Sequence, residues 1–241
     1  MRKFGAILLV LVVLTGFFQL MFFPQRNTLG ASTSTPRLGD PYRALIDLEQ
    51  NTQVDISTTP PDHSKSLVYE TLSEADENSL SLYVPLLQYE LQKYSVEELK
   101  ESGLKGIYLV KNLKIQTFST DTYAVAGATD YARSIIFIDI STNQFSADGV
   151  VDYTETRGCD ATEFARGIVH HELWHVKEKN NPQLIDDDDS KEYPSTNNLS
   201  VASERCLKPN AAFVSKYAQT TPSEDRAEQF RAKMTFTELR N

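Results

Sequence analysis

A chain of 241 residues with 40% hydrophobic and 24% charged side chains can build one sizeable core plus appendages, which excludes a disordered or fibrous protein. Its net charge of −9 argues against nucleic acid as a partner, because a polyanion needs a basic face. Two cysteines are too few for a thiolate zinc site.

In chain order, Met1-Arg2-Lys3 precede an apolar run from Phe4 to Phe23 that closes at Pro24-Gln25-Arg26. The run has the length of a spanning helix, about 20 residues, rather than the about 7–15 of a cleavable signal core. Residues 1–26 are therefore expected to be a membrane anchor, with the positive end in the cytoplasm and the bulk of the chain outside. Cleavage after Gly30 or Ala31, giving a secreted protein, is the alternative. Either way the chain is expected to be exported. An oxidising compartment would then allow Cys159 and Cys206 to form one disulfide.

Residues 27–65 read as a linker and poorly ordered N-terminal region, rich at first in Ser, Thr, Gly and Pro, with a short helix over Tyr42–Gln50 and a surface His63. The domain proper is expected over residues 66–241. Glu74–Tyr94 has helical periodicity, and Pro85 should kink or restart that helix. Ser95 and Gly103 bracket a further short helix as cap and stop. Strands follow at Gly106–Lys111 and Leu113–Phe118, then a hairpin of Tyr123–Ala128 with Ser134–Ile140. The second hairpin strand is nearly all apolar and belongs inside the sheet. The first has small side chains and suits an edge at which an extended peptide could pair. After the next helix, Asp186–Asp189 lacks the spacing of a calcium loop and reads as a solvated acidic run.

The chemistry gathers in DATEFARGIVHHELWHVK, residues 160–177. Asp160 followed by Glu163 is a capping pattern, and the run should end at Asn180-Asn181-Pro182. On such a helix His171 and His175 stand one turn apart and can reach one zinc ion. Glu172 sits beside the first of them, where it can act as general base without ligating the metal. His170 points about 100° away and suits packing or the substrate rim. A catalytic zinc needs a third ligand. The helix start at Pro222 offers Glu224 and Glu228 on one face, one to ligate and one to hold a ligand histidine, with small Ala227 permitting close approach.

HHELWH, followed by Tyr217 and then Pro222-Ser223-Glu224-Asp225-Arg226-Ala227-Glu228, resembles the gluzincin metallopeptidases. It resembles in particular the catalytic-domain family of anthrax lethal factor and related bacterial zinc peptidases. The resemblance implies Glu224 as third ligand, Glu228 as an outer residue and Tyr217 as a stabiliser of the oxyanion. It also implies an α+β, zincin-like domain with a small mixed sheet, an HExxH helix and a C-terminal helix bearing the third ligand. Trp174 and Arg226 depart from the pattern at positions where a small residue and an aromatic are common. The expected activity is zinc-dependent hydrolysis of peptide or protein substrates. The alternatives are a catalytically silent zinc-stabilised module or a hydrolase of non-protein amides.

Overall fold

Asp40 accepts hydrogen bonds from the amides of Tyr42 and Arg43, and Pro41 sits at the first helical position, so a helix begins here: α1, Pro41–Thr52. The computed structural model describes residues 40–61, 66–117, 121–141, 145–146, 149–150, 161–185, 191–193 and 212–237. All of them lie in the second of two units, Met1–Arg37 and Leu38–Asn241. The expected anchor, His63, Cys159, Cys206, the Asp160 cap and the acidic run at 186–189 lie outside the described residues. Among the described residues no helix is long and apolar enough to cross a membrane.

The core starts earlier than the expected boundary at residue 66. Leu45 and Leu48 of α1, with Val54 and Ile56 around β1 (Asp55–Ser57), are buried in the main hydrophobic cluster. Burying each of these side chains stabilises the fold by about 1.5–3 kcal/mol, which a loose linker would forgo. A short helix was expected here, but one apolar stripe in a polar segment did not show that it joins the core.

After β2 (Leu67–Glu70) and a short 3-10 turn comes α2, Glu77–Leu91, which runs unbroken through Pro85. Pro85 is exposed, so the carbonyl its ring leaves unpaired lies on the side open to water. The expected restart of the helix does not occur. Ser95 and Gly103 bracket α3, Val96–Ser102, as anticipated: the Ser95 hydroxyl accepts from the Glu98 amide at 3.1 Å, and Gly103 takes φ +79°.

The sheet is organised around β3, Gly106–Gln116, where two strands were expected. Its first half lies parallel to β1 on one side and to β6 (Ile135–Asp139) on the other; its second half pairs antiparallel with β2 and with β4 (Thr122–Ala124). Asn112, at φ +54°, marks the change, and the Leu113 amide there donates to Asp139 at 3.0 Å. The expected Tyr123–Ala128 strand divides into β4 and β5 (Gly127–Asp130), and β5 pairs antiparallel with β6 at the sheet edge. A short hairpin, β7 (Phe145–Ser146) with β8 (Gly149–Val150), completes the strands among the described residues.

Alternation explains the apolar run of β6. Ile136 and Ile138 face the helical side with Ile107 and Leu109 of β3, while Ile135 and Phe137 join Tyr108, Val110 and Leu113 in a second cluster. On the helical side lies α4, Ala161–Asn180, with Phe164, Ile168, Val169, Leu173 and Val176 buried against the sheet. Finally α5, Pro222–Thr235, packs on α4. The domain is thus α+β with a mixed sheet, an HExxH helix and a C-terminal helix carrying Glu224.

Candidate metal centre

Helical spacing puts Ile168 and Val176 of α4 into the core and turns His171 and His175 towards α5. Close approach of the helices depends on small residues. Ala227 is fully buried, and a Cβ on Gly167 would lie 2.9 Å from the Arg231 side chain. Thr221 caps α5 by accepting from the Glu224 amide at 3.2 Å, which fixes the first turn where Glu224 stands.

Three donor atoms converge between the helices. His171 Nε2 and His175 Nε2 are 3.2 Å apart, and Glu224 Oε2 lies 3.0 Å from the first and 3.5 Å from the second. Tetrahedral zinc with bonds of 2.0–2.1 Å would hold its donors about 3.3–3.4 Å apart, so the triangle fits such an ion. Glu224 Oε2 is buried without a well-directed hydrogen bond, as an oxygen waiting for a cation would be.

The outer supports differ between the two histidines. His171 Nδ1 meets Glu228 Oε1 at 2.8 Å, and Glu228 is steadied by Arg231 at 3.1 Å. His175 Nδ1 lies 3.4 Å from Ser223 Oγ, which donates to Glu178 at 2.6 Å; Arg226 in turn pairs with Glu178. Glu228 was expected from the sequence. Ser223 and Glu178 were not, although Glu178 stands one helical turn beyond His175, a spacing that could have flagged it. Arg226 therefore serves this support, and Trp174 stacks on Phe230 of α5 with ring centroids 5.1 Å apart.

Electrostatics follow the same contacts. Burial opposes charge on both His171 and Glu224. The carboxylates of Glu224 and Glu228 nevertheless push the His171 pKa up to about 9. The two imidazoles hold the Glu224 carboxyl well below its ordinary range. His170, the neighbour in sequence, is fully buried away from this triangle. Its Nδ1 meets the Tyr94 hydroxyl at 2.6 Å and its Nε2 meets Glu90 at 2.6 Å, so it belongs to the packing and not to a substrate rim.

Glu172 is buried under the edge strand. Thr129 Oγ1 donates to Glu172 Oε2 at 2.8 Å, and a Cβ on Gly127 would lie 2.9 Å from Glu172 Oε1. Glycine is required there because β5 presses directly on α4. Tyr217 opens a 3-10 turn, Tyr217–Gln219, with its ring 5.7 Å from that of His171. Beside the other histidine, Tyr131 stands with its ring 6.0 Å from that of His175, edge to face. Burial, Glu172, Glu224 and Glu178 push the Tyr131 phenol up, so it stays a hydroxyl. Nothing local in the sequence marked Tyr131, which occupies a hairpin turn.

No family model and no curated protein matches the chain. Among solved structures, it is similar to a Bacteroides caccae protein provisionally described as a zinc-binding metallo-peptidase. The match has 17% identity and a TM-score of 0.40, over 86% of this chain and 76% of that one. At that level of likeness, what the chain does has to be read from its own site.

Proposed function

We propose that this chain is a zinc-dependent peptidase. The observation that carries the reading is the triangle of His171 Nε2, His175 Nε2 and Glu224 Oε2 at 3.0–3.5 Å, with the buried carboxylate of Glu172 next to it in sequence. These three residues would hold the ion, and Glu228, Ser223 and Glu178 would fix the imidazole orientations. Zinc bound there supplies a Lewis acid and brings the pKa of water down to about 7.

The remaining steps belong to the chain's own groups. Glu172, aimed by Thr129, accepts the proton of the attacking water and hands it to the leaving amine nitrogen. Tyr217 donates a hydrogen bond to the oxygen that becomes negative as the carbonyl is attacked, a contact typically worth about 2.7–4 kcal/mol. Strand β5, last in its sheet among the described residues, supports the peptide reading over a small amide: an extended substrate can align along that edge above Glu172.

The test uses the full chain, wild type and Glu172→Gln, with metal content and cleavage of a peptide library measured on both. We expect one zinc per chain in each and hydrolysis in wild type alone. A mutant that still turns over with its metal verified would remove Glu172 from the mechanism. A zinc-loaded wild type that cleaves nothing would remove the peptidase reading.

A further inference from the structure

A tyrosine in an exposed hairpin turn is usually a surface residue. Tyr131 is held too firmly, and too close to the donor triangle, for that. Asp130 accepts from the Ala132 amide at 3.0 Å and the Arg133 amide at 3.2 Å, and pairs with the Arg133 side chain at 2.9 Å, which closes the turn. Lys179, from the last turn of α4, binds the Tyr131 carbonyl oxygen. The backbone is therefore tied both within its own hairpin and to the helix that bears the histidines.

The residue is 50% exposed, yet its ring makes an edge-to-face contact with His175. The ring therefore stands beside one of the three donors of the triangle, on a backbone held in place from two sides. No described residue hydrogen-bonds its hydroxyl. Tyr217 stands against His171 at 5.7 Å, so two tyrosine rings adjoin the triangle, one beside each histidine.

We propose that Tyr131 is a second catalytic hydroxyl, which donates a hydrogen bond to the scissile carbonyl oxygen as its negative charge develops, alongside Tyr217. The inference rests on the peptidase reading. No bond to Tyr131 forms or breaks, and its proton stays on the phenol. Its position one residue beyond β5 gives it a natural place: a peptide aligned on that edge brings its carbonyl to the two rings. A donor that strengthens its contact only as charge develops acts on turnover and not on ground-state binding.

The experiment compares the full-length wild type with Tyr131→Phe, a change that removes one oxygen and keeps the ring against His175. A peptide that wild type cleaves is the substrate, and its phosphinic isostere, which mimics the tetrahedral state, is the binding probe. Tyr131→Phe should keep one zinc per chain and lose roughly 100-fold in kcat, as expected when one oxyanion donor is removed. KM should stay within about twofold of wild type, and the isostere's affinity should fall in step with kcat/KM. Binding of the uncleaved peptide to Glu172→Gln should be unchanged when Tyr131→Phe is added.

A kcat within about twofold of wild type would overturn the proposal. So would a loss confined to KM, which would make Tyr131 a subsite wall, or a loss of zinc, which would make it a support for His175. If wild type itself cleaves no peptide, the peptidase reading falls first and this role falls with it.

Discussion

His170 and His171 are neighbours on one helix, both buried and both against carboxylates, yet they end in opposite chemistry. His170 faces the end of α2, where Glu90 takes one ring nitrogen and Tyr94, just past the helix, takes the other. Glu90, with 0% exposure, is also bound by Lys93 at 2.6 Å and by Arg166. Lys93 and Arg166 reach on to the Met234 and Thr235 carbonyls at the end of α5. That cluster is closed: each ring nitrogen has a partner, and the two cations share one carboxylate and the carbonyls at the end of α5. His171 faces α5, where Glu228 takes only Nδ1 and leaves Nε2 in the triangle with His175 and Glu224. Burial beside carboxylates is common to both rings. What sets His171 apart is that its Nε2 converges with His175 Nε2 and Glu224 Oε2.

The contrast can be broken from either side. The largest effect is expected from Glu90→Ala, which strands Lys93 and Arg166 beside a vacated buried site and should cost about 3–5 kcal/mol in urea unfolding of the chelated protein. Zinc uptake by the folded fraction should be unchanged. If zinc binding falls too, the two clusters are one. Glu228→Gln acts on the other side and should weaken zinc about 10–100-fold in competition with a chelator. An unaltered affinity would mean that Nδ1 of His171 needs no anion.

The smallest effect is electrostatic and separates the two rings by sign. In zinc-free protein, imidazole nitrogen NMR should show His171 titrating near 9 and His170 below its ordinary 6.5. His171, raised, contributes stability fully present below about 6.5 and lost as pH rises through about 9. His170, lowered, contributes stability present above about 6.5 and lost as pH falls below it. Two rings that titrate together would abolish the distinction.

How much was legible in advance follows the reach of each interaction. The HExxH helix, the capped start of α5 and the Glu224/Glu228 pair rest on spacing within one element, and the chain alone displays them. The buried strand β6 could also be read from its apolar run, and the edge strand β5 only at Gly127 and Ala128, since Asp130 was placed in the turn. The closed cluster could not: Glu90 and Arg166 are 76 residues apart in sequence, and neither looks unusual locally. Tyr131 was missed for the same reason, since only folding lays its turn over His175. The helix at 41–52 was read too short and left outside the core, because one apolar stripe in a polar segment does not reveal the sheet that covers it. The change of partners at Asn112 needed a positive φ that the residue type permits but does not demand.

On the proposed reading, the donors lie on two helices, with 49 residues separating His175 from Glu224 (224 − 175). A bound ion would therefore be a cross-link as well as a reagent. Free zinc at a hundredfold excess over its Kd would add about 2.7 kcal/mol to the folded state, and its withdrawal would remove that contribution. A chain starved of metal would then be both idle and easier to degrade, so supply of the ion would set how much of the protein persists.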